Sequence, residues 1–300
     1  MPDLHDQNKM RVALPKGRMF DEIVSLLKGA GISIRNSERG YRPTLSLPNY
    51  DAKMLKPRNV ISMLAVGARD FGFAGADWVY EMELELVEVL NTGLNPVRLV
   101  VAAPHEVLID GVLPKRHLVV ASEYPRMAAE WIKKNNLDAE VLTTYGATEV
   151  FPPEDADLII DNTATGSTLR ANGLVIIDEV MKSSTRMYAS KEAMDHPEKK
   201  QQIEDFALLI DAVLKARTRV MMDLNVASEN LDAVLNCLPS MRQPTVSPLS
   251  DSGWFAVRSA VPRKKLAEII PKVKNSGDHD IVTTSAEQLI SVVSDSEAGR

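Results

Sequence analysis

The residues with the clearest chemical potential lie in one run, Ala156-Asp157-Leu158-Ile159-Ile160-Asp161-Asn162-Thr163-Ala164-Thr165-Gly166-Ser167-Thr168-Leu169. Three apolar residues make a buried strand that ends on an acid, and a small, hydroxyl-rich turn then leads into a helix at Leu169. A turn of this kind at the carboxyl end of a parallel strand aims backbone N–H groups and hydroxyls at one point. The helix start adds partial positive charge there, so Thr165, Gly166, Ser167 and Thr168 suit a phosphate. Asp161, at the strand end, is placed to take ribose hydroxyls. The plainer alternative is a turn and helix cap, but the terminal acid and the absence of any bulky side chain from Asn162 to Thr168 favour phosphate. Asp157 is a poor second carboxylate, because four strand residues put it about 13 Å away toward the opposite end of the sheet. Glu149, in the turn Gly146-Ala147-Thr148-Glu149, is the better candidate, with a solvated loop acid as its alternative. Lys16 and Arg18 flank Gly17 just beyond another strand. They suit pyrophosphate or triphosphate oxygens, or else are solvated surface cations.

These residues need a scaffold that brings several strand ends together. From Met10 onward short apolar runs alternate with amphipathic stretches, the sequence form of an α/β protein with a largely parallel sheet. Strands are expected at Met10 to Leu14, Gly72 to Ala74, Val87 to Leu90, Val97 to Ala103, Leu118 to Ala121, Glu140 to Leu142, Asp157 to Ile160 and Leu174 to Ile177. Helices are expected at Met19 to Lys28, Pro57 to Val66, Tyr124 to Asn135 and Pro197 to Arg217. The last third reads strand (Arg219 to Val226), helix (Glu229 to Leu235, capped by Ser228), strand (Thr245 to Leu249), strand (Trp254 to Ala260), helix (Arg263 to Lys274, with Pro262 at its start) and strand (Asp280 to Thr284). That β-α-β-β-α-β order is the ferredoxin-like arrangement and marks a separate small domain, suited to regulation or assembly.

A length of 300 residues allows two or three domains. The net charge of −6 disfavours nucleic acid as the main partner but leaves room for an anionic small ligand held by local donors. Cys237, the single cysteine, cannot form an internal disulfide and reads as core. The polar start of the chain lacks the apolar region of a signal peptide, and no apolar run reaches 18 residues, so a cytoplasmic protein without a membrane partner is expected.

The run ending in Thr165-Gly166-Ser167-Thr168 resembles the phosphoribosyl-diphosphate loop of phosphoribosyltransferases, with one departure: the salvage enzymes carry two adjacent acids where this chain has Asp161-Asn162. Other blocks widen the likeness. They are Ala13-Leu14-Pro15-Lys16-Gly17-Arg18, Asp70 through Trp78, Ser122-Glu123-Tyr124-Pro125, Gly146 through Glu149, Asp157 through Leu169 and Ala171-Asn172-Gly173-Leu174. The final third adds Leu238-Pro239, Pro244 through Leu249 and Gly253-Trp254. From about Met10 to Ser285 the chain resembles the long form of the ATP phosphoribosyltransferase family, which catalyses the first step of histidine biosynthesis.

The resemblance implies transfer of phosphoribose from phosphoribosyl diphosphate to N1 of ATP, with Mg²⁺ held through substrate phosphates and water rather than by dedicated ligands. It implies two lobes like those of periplasmic binding proteins, residues 1–103 with 179–215 and residues 104–178, followed by a regulatory domain over 216–300. On this reading Thr165 to Leu169 hold the 5′-phosphate, Asp161 and Glu149 hold ribose hydroxyls and stabilise charge at C1′, and Lys16, Gly17 and Arg18 meet phosphate oxygens. Asp77 orients ATP or a metal-bound water, and Tyr124 stacks on adenine. Histidine is implied as feedback inhibitor, touching Asn225, Thr245 and, more weakly, Asp280, and a homo-oligomer moving between dimer and hexamer is implied. The neutral amide of Asn225 stands where some relatives carry an acid. The competing readings are a two-lobed solute- or nucleotide-binding protein without catalysis and a salvage transferase acting on a free base. The missing adjacent acid and the third domain oppose the salvage enzyme.

Overall fold

The computed structural model describes residues 9–35, 40–239, 243–277 and 280–290. In its first part run β1 (Met10–Pro15), α1 (Arg18–Gly29), the two-residue strands β2 (Ile34–Arg35) and β3 (Thr44–Leu45), β4 (Tyr50–Leu55), α2 (Pro57–Ala65), β5 (Phe71–Gly75), α3 (Ala76–Met82) and β6 (Val87–Pro104). There follow β7 (Leu118–Ser122), α4 (Pro125–Lys134), β8 (Ala139–Thr143), β9 (Leu158–Thr163), α5 (Ser167–Ala171), β10 (Leu174–Ala189), α6 (Lys191–Asp195) and α7 (Pro197–Arg217). Last come β11 (Arg219–Ala227), α8 (Leu231–Cys237), β12 (Thr245–Pro248), β13 (Trp254–Pro262), α9 (Leu266–Asn275) and β14 (Asp280–Thr284).

The chain divides into two compact units, Met1–Ile23 with Ile34–Glu204, and Val24–Ser33 with Asp205–Arg300. The first contains an eight-stranded sheet in the order β4-β1-β5-β10-β6-β9-β7-β8. Its two outer groups, β4-β1-β5 and β9-β7-β8, are internally parallel, and the long antiparallel pair β10 and β6 joins them. The groups attach toward opposite ends of that pair. Strand β5 pairs with Thr185 to Ala189 of β10, whereas β9 pairs with Arg98 to Ala102 of β6. Leu158, Ile159 and Ile160 are fully buried, as an apolar run covered on both sheet faces requires. On one face Leu158 and Ile160 pack with Met127, Ala128, Trp131 and Ile132 of α4, and on the other Ile159 packs with Leu169 of α5. The helical spacing of those α4 residues and Pro125 at its first turn explain both its buried face and its start.

The second unit carries a four-stranded sheet, β12-β13-β11-β14, with every neighbouring pair antiparallel. Val220, Met222, Leu224, Val226, Val257 and Val261 line its covered face against Val234 of α8 and Ile269 and Val273 of α9. The element order matches the one read from the sequence.

Several expectations need correction. Val87 to Leu90 and Val97 to Ala103 are not separate strands but parts of the 18-residue β6, and the strand expected to end at Ile177 continues to Ala189. Ser228 does not cap a helix through its side chain. It opens a short 3₁₀ turn, and α8 starts three residues later. Arg263 to Lys265 likewise form a 3₁₀ turn ahead of α9. No helix among the described residues is long and apolar enough to cross a membrane.

Candidate phosphoribosyl site

At the carboxyl end of β9 a recess of about 180 Å³ is lined by Arg18, Glu149, Asp161, Asn162, Thr163, Ala164, Thr165, Ser167, Thr168 and Leu169. Segments far apart in sequence thus meet there, although β9 runs on to Thr163, so Asp161 lies within the strand and not at its end as the sequence reading expects. The turn is built by local bonds. The Gly166 N–H donates to Thr163 Oγ1 at 2.9 Å, Thr165 Oγ1 donates to Ser167 Oγ at 3.0 Å, and the Ser167 N–H reaches Thr165 Oγ1 at 3.4 Å. Gly166 sits at φ +74°, in the left-handed region, where a side chain is strained. Arg170, which the sequence reading did not single out, braces the turn by donating from Nη1 to the Thr165 carbonyl at 3.2 Å. Its position one turn into a helix after a Thr-Gly pair was the available signal.

Asp161 is half-buried, and burial pushes its carboxyl up to about 6. The neighbouring charges of Glu123 and Glu149 add to the rise, while the Asn162 N–H, at 2.7 Å from Oδ1, and the Thr148 hydroxyl oppose it. Thr148 is itself buried and shares a 2.8 Å hydrogen bond with Thr144, so the acid is held by a hydroxyl fixed from behind. Glu149 lies in the 3₁₀ turn Thr148–Val150, which follows Ala147 in the left-handed region at φ +50°. Glu123, on the adjoining strand end, is pushed up by burial, partly offset by Lys56 and Arg58.

The other expected residues are placed differently. Arg18 lines the recess, but Lys16 does not; its ammonium lies over the Tyr41 ring at 3.4 Å from the centroid. Asp77 is only 5% exposed, and both of its oxygens are occupied, Oδ1 accepting from Ser183 Oγ at 2.6 Å and Oδ2 from the Tyr124 hydroxyl at 2.7 Å. Tyr124 is fully buried, its ring 4.7 Å from that of Trp78. It offers no face to an adenine, and burial together with Asp77 drives its hydroxyl pKa upward. The resemblance implies a platform for adenine at this helix entrance, where an aromatic is otherwise packing; in the fold Tyr124 is core with a polar tip. In the second unit, Asn225 of β11 stands directly opposite Asp280 of β14 on the exposed face. Thr245 is two strands away, in the row formed by Arg258, Asp223 and Val282.

The fold and recess define a class, α/β proteins with a small, hydroxyl-rich Thr-Gly turn and carboxylates beside it at a strand end. The family model described as ATP phosphoribosyltransferase matches residues 56–212, and that described as HisG, C-terminal domain, matches residues 216–288. An ATP phosphoribosyltransferase of Pelotomaculum thermopropionicum is 34% identical over 279 residues, covering 91% of this chain and 96% of that protein. One of Solibacter usitatus is 33% identical over 286 residues, covering 94% and 99%. Among solved structures, the ATP phosphoribosyl transferase (HisG:HisZ) complex of Thermotoga maritima aligns with TM-score 0.61 at 25% identity, over 69% of this chain and 98% of that one. The chain belongs to the ATP phosphoribosyltransferase family, the enzymes that make phosphoribosyl-ATP in the first step of histidine biosynthesis.

Proposed function

We propose that the recess at the end of β9 is where this chain binds phosphoribosyl diphosphate and transfers its phosphoribose to ATP N1. The observation that carries this assignment is the convergence of Arg18, Glu149 and Asp161 on the Thr165 to Leu169 turn. The turn's N–H groups and the hydroxyls of Thr165, Ser167 and Thr168 hold the 5′-phosphate, Arg18 meets the diphosphate, and Asp161 and Glu149 take ribose hydroxyls.

The reaction makes modest demands. Adenine N1 already has a lone pair, so no base need create the nucleophile, and the proton lost afterwards comes from the exocyclic amine. Bond breaking at C1′ leaves positive charge on the ribosyl ring, which the ionised Asp161 and Glu149 stabilise, and catalysis is chiefly positioning and electrostatics. The carboxylate and hydroxyl oxygens that line the recess are of the kind that fits Mg²⁺. Among the described residues no group of three or more His, Cys, Asp or Glu side chains converges to cage an ion. Mg²⁺ arriving on the diphosphate would neutralise leaving-group charge, with Asp161 and Glu149 the carboxylates at hand for its water shell.

The finer architecture follows the same reading. Parallel groups attached at opposite ends of β6 and β10 support two lobes that meet near Leu94 to Arg98 and Ser183 to Thr185, a few residues from the crossings expected at Ala103 and Asp178. The domain over 216–300 serves regulation, with histidine taken near Asn225 and Asp280, and the chain works in the cytoplasm as a homo-oligomer.

The test is to mix the full chain with ATP, phosphoribosyl diphosphate, Mg²⁺ and pyrophosphatase and to follow the absorbance of the N1-substituted product, with and without histidine. Product formation is expected, and Arg18→Ala should raise the KM for phosphoribosyl diphosphate at least about tenfold through loss of a charge-assisted contact. No product from the unmodified chain would refute the assignment.

A further inference from the structure

The recess draws on both parallel groups of the large sheet. Arg18 follows β1 of one group, whereas Glu149, Asp161 and the Thr165 to Leu169 turn belong to the other. A ligand that touches Arg18 and the turn together therefore depends on the angle between the groups. Within the sheet they are connected only through β6 and β10, and register shifts interrupt that pairing on both sides of Thr185. Bulges of this kind bend a ribbon, so the strands alone do not set the angle.

A third attachment lies outside the recess, where α3, which follows β5, meets α4, which follows β7. Glu81 of α3 is buried and accepts from the Arg126 N–H at 2.9 Å through Oε1 and from the Met127 N–H at 3.0 Å through Oε2. These are first-turn N–H groups of α4, whose own N-cap residue, Tyr124, makes no side-chain bond to them. Arg126 answers in the opposite direction. Its Nε donates to the Glu81 carbonyl at 3.0 Å and its Nη2 to the Tyr80 carbonyl, both in the last turn of α3. Each helix thus caps the other, with a carboxylate at the positive end of α4 and a guanidinium at the negative end of α3. Glu83 and Glu130 pair with the same guanidinium, which lies 4.5 Å from the centre of the Tyr80 ring. Neither Glu81 nor Arg126 lines the recess.

We propose that the reciprocal cap between Glu81 and Arg126 holds the two strand groups at the angle that lets Arg18 reach the diphosphate of a ligand whose 5′-phosphate sits on the Thr165 to Leu169 turn. Both are positioning residues for phosphoribosyl diphosphate, and neither touches it. The proposal rests on the functional reading above. Loss of either side chain leaves helix ends uncapped and frees the ribbon to bend near Thr185. Arg18 then shifts relative to the turn, while the turn itself stays intact because its own bonds are local.

The experiment is calorimetric titration of the full chain with phosphoribosyl diphosphate and Mg²⁺ and, separately, with ribose 5-phosphate, which lacks the diphosphate that Arg18 meets. Unmodified protein should bind phosphoribosyl diphosphate more tightly. Glu81→Gln turns an NH₂ against an N–H of α4, and Arg126→Leu removes the guanidinium. Each should weaken phosphoribosyl diphosphate about tenfold, the scale of the charge-assisted Arg18 contact that the joint serves. Ribose 5-phosphate affinity should be unchanged in both, which also shows that the variants are folded. In the Arg18→Ala background neither substitution should weaken phosphoribosyl diphosphate further, because the contact that depends on alignment is already gone. Parent-like affinity in both variants, a parallel loss of ribose 5-phosphate, or additive losses with Arg18→Ala would overturn the proposal. A parent that prefers phosphoribosyl diphosphate, alongside variants that match it, refutes the joint alone. A parent without that preference refutes the reading of the recess and the joint's role with it.

Discussion

Asp161 carries two opposed requirements. The role proposed for it in transfer requires an ionised carboxylate, yet burial and the nearby Glu123 and Glu149 raise its pKa to about 6. A limb in kcat/KM near pH 6 is expected, with activity falling below it, and Asp161→Asn should remove this limb together with most of the activity, about a hundredfold or more. The linkage to stability runs the other way. Because the folded pKa lies above the unfolded value, the group favours folding at low pH, and that contribution is lost as pH rises from about 4 through 6. Above pH 6 the ionised acid is a standing cost to the fold. Asp161→Asn should therefore be more stable than the parent at pH 8, by about 1 kcal/mol after allowance for partial exposure, and gain little at pH 4.5. Thermal melts at the two pH values check this, and a destabilised variant at pH 8 would show that the carboxylate is better satisfied than its surroundings indicate.

The turn between β9 and α5 works as a unit because its one left-handed residue also stands against Arg170 and Ile176. A Cβ on Gly166 would lie 3.1 Å from Arg170 Nη1 and 3.5 Å from Ile176 Cδ1, at a φ of +74°. Gly166→Ala should thus cost about 1 kcal/mol of backbone strain and push Arg170 off the Thr165 carbonyl. Steady-state kinetics should show a raised KM for phosphoribosyl diphosphate with the KM for ATP little changed. Equal effects on both would mean that the turn does not distinguish the substrates. This element was legible in the sequence because every device in it is local: an apolar run, an acid at its end, small residues and a glycine. The long strands β6 and β10 were not legible. Asn91 to Pro96 has the composition of a turn, yet Thr92 is buried and donates to the Thr185 carbonyl at 2.6 Å, and Asn95 absorbs the bend at φ +45°. Residues 178–189 lack strict alternation because register shifts interrupt their pairing with β6, so the face a side chain takes is set by bulges that no periodicity reports. Tyr124 was misread for a related reason. Its partners Asp77 and Asn162 lie 47 and 38 residues away, and only the fold brings a carboxylate to its hydroxyl.

At the scale of the molecule, a chain with net charge −6 must keep its buried acids paired. Asp70 shows how the first unit does so. Only 1% exposed, it accepts from the Arg11 N–H at 2.7 Å, from Arg11 Nη2 at 2.7 Å and from Lys199 Nζ, 129 residues further along the chain, at 2.9 Å, and so ties β1 to α7. Its own carbonyl accepts from the Ser190 N–H at 2.9 Å, so the same residue also fixes the chain leaving β10. Burial alone would raise the carboxyl pKa, but the hydrogen bonds from Arg11 and Lys199 outweigh it and hold the group below the ordinary aspartate range. A depressed folded pKa contributes stability that is present above the unfolded value, near 4, and is lost as pH falls toward the folded one. Asp70→Ala should therefore cost about 3–5 kcal/mol at neutral pH, since it leaves two cations half-buried without their acceptor. In acid the deficit should shrink, because the parent loses the same interaction once Asp70 is protonated. Urea unfolding of parent and variant at pH 7 and pH 3 measures the difference. A deficit that does not depend on pH would mean that Asp70 stabilises the fold through packing and its backbone bonds rather than through its charge.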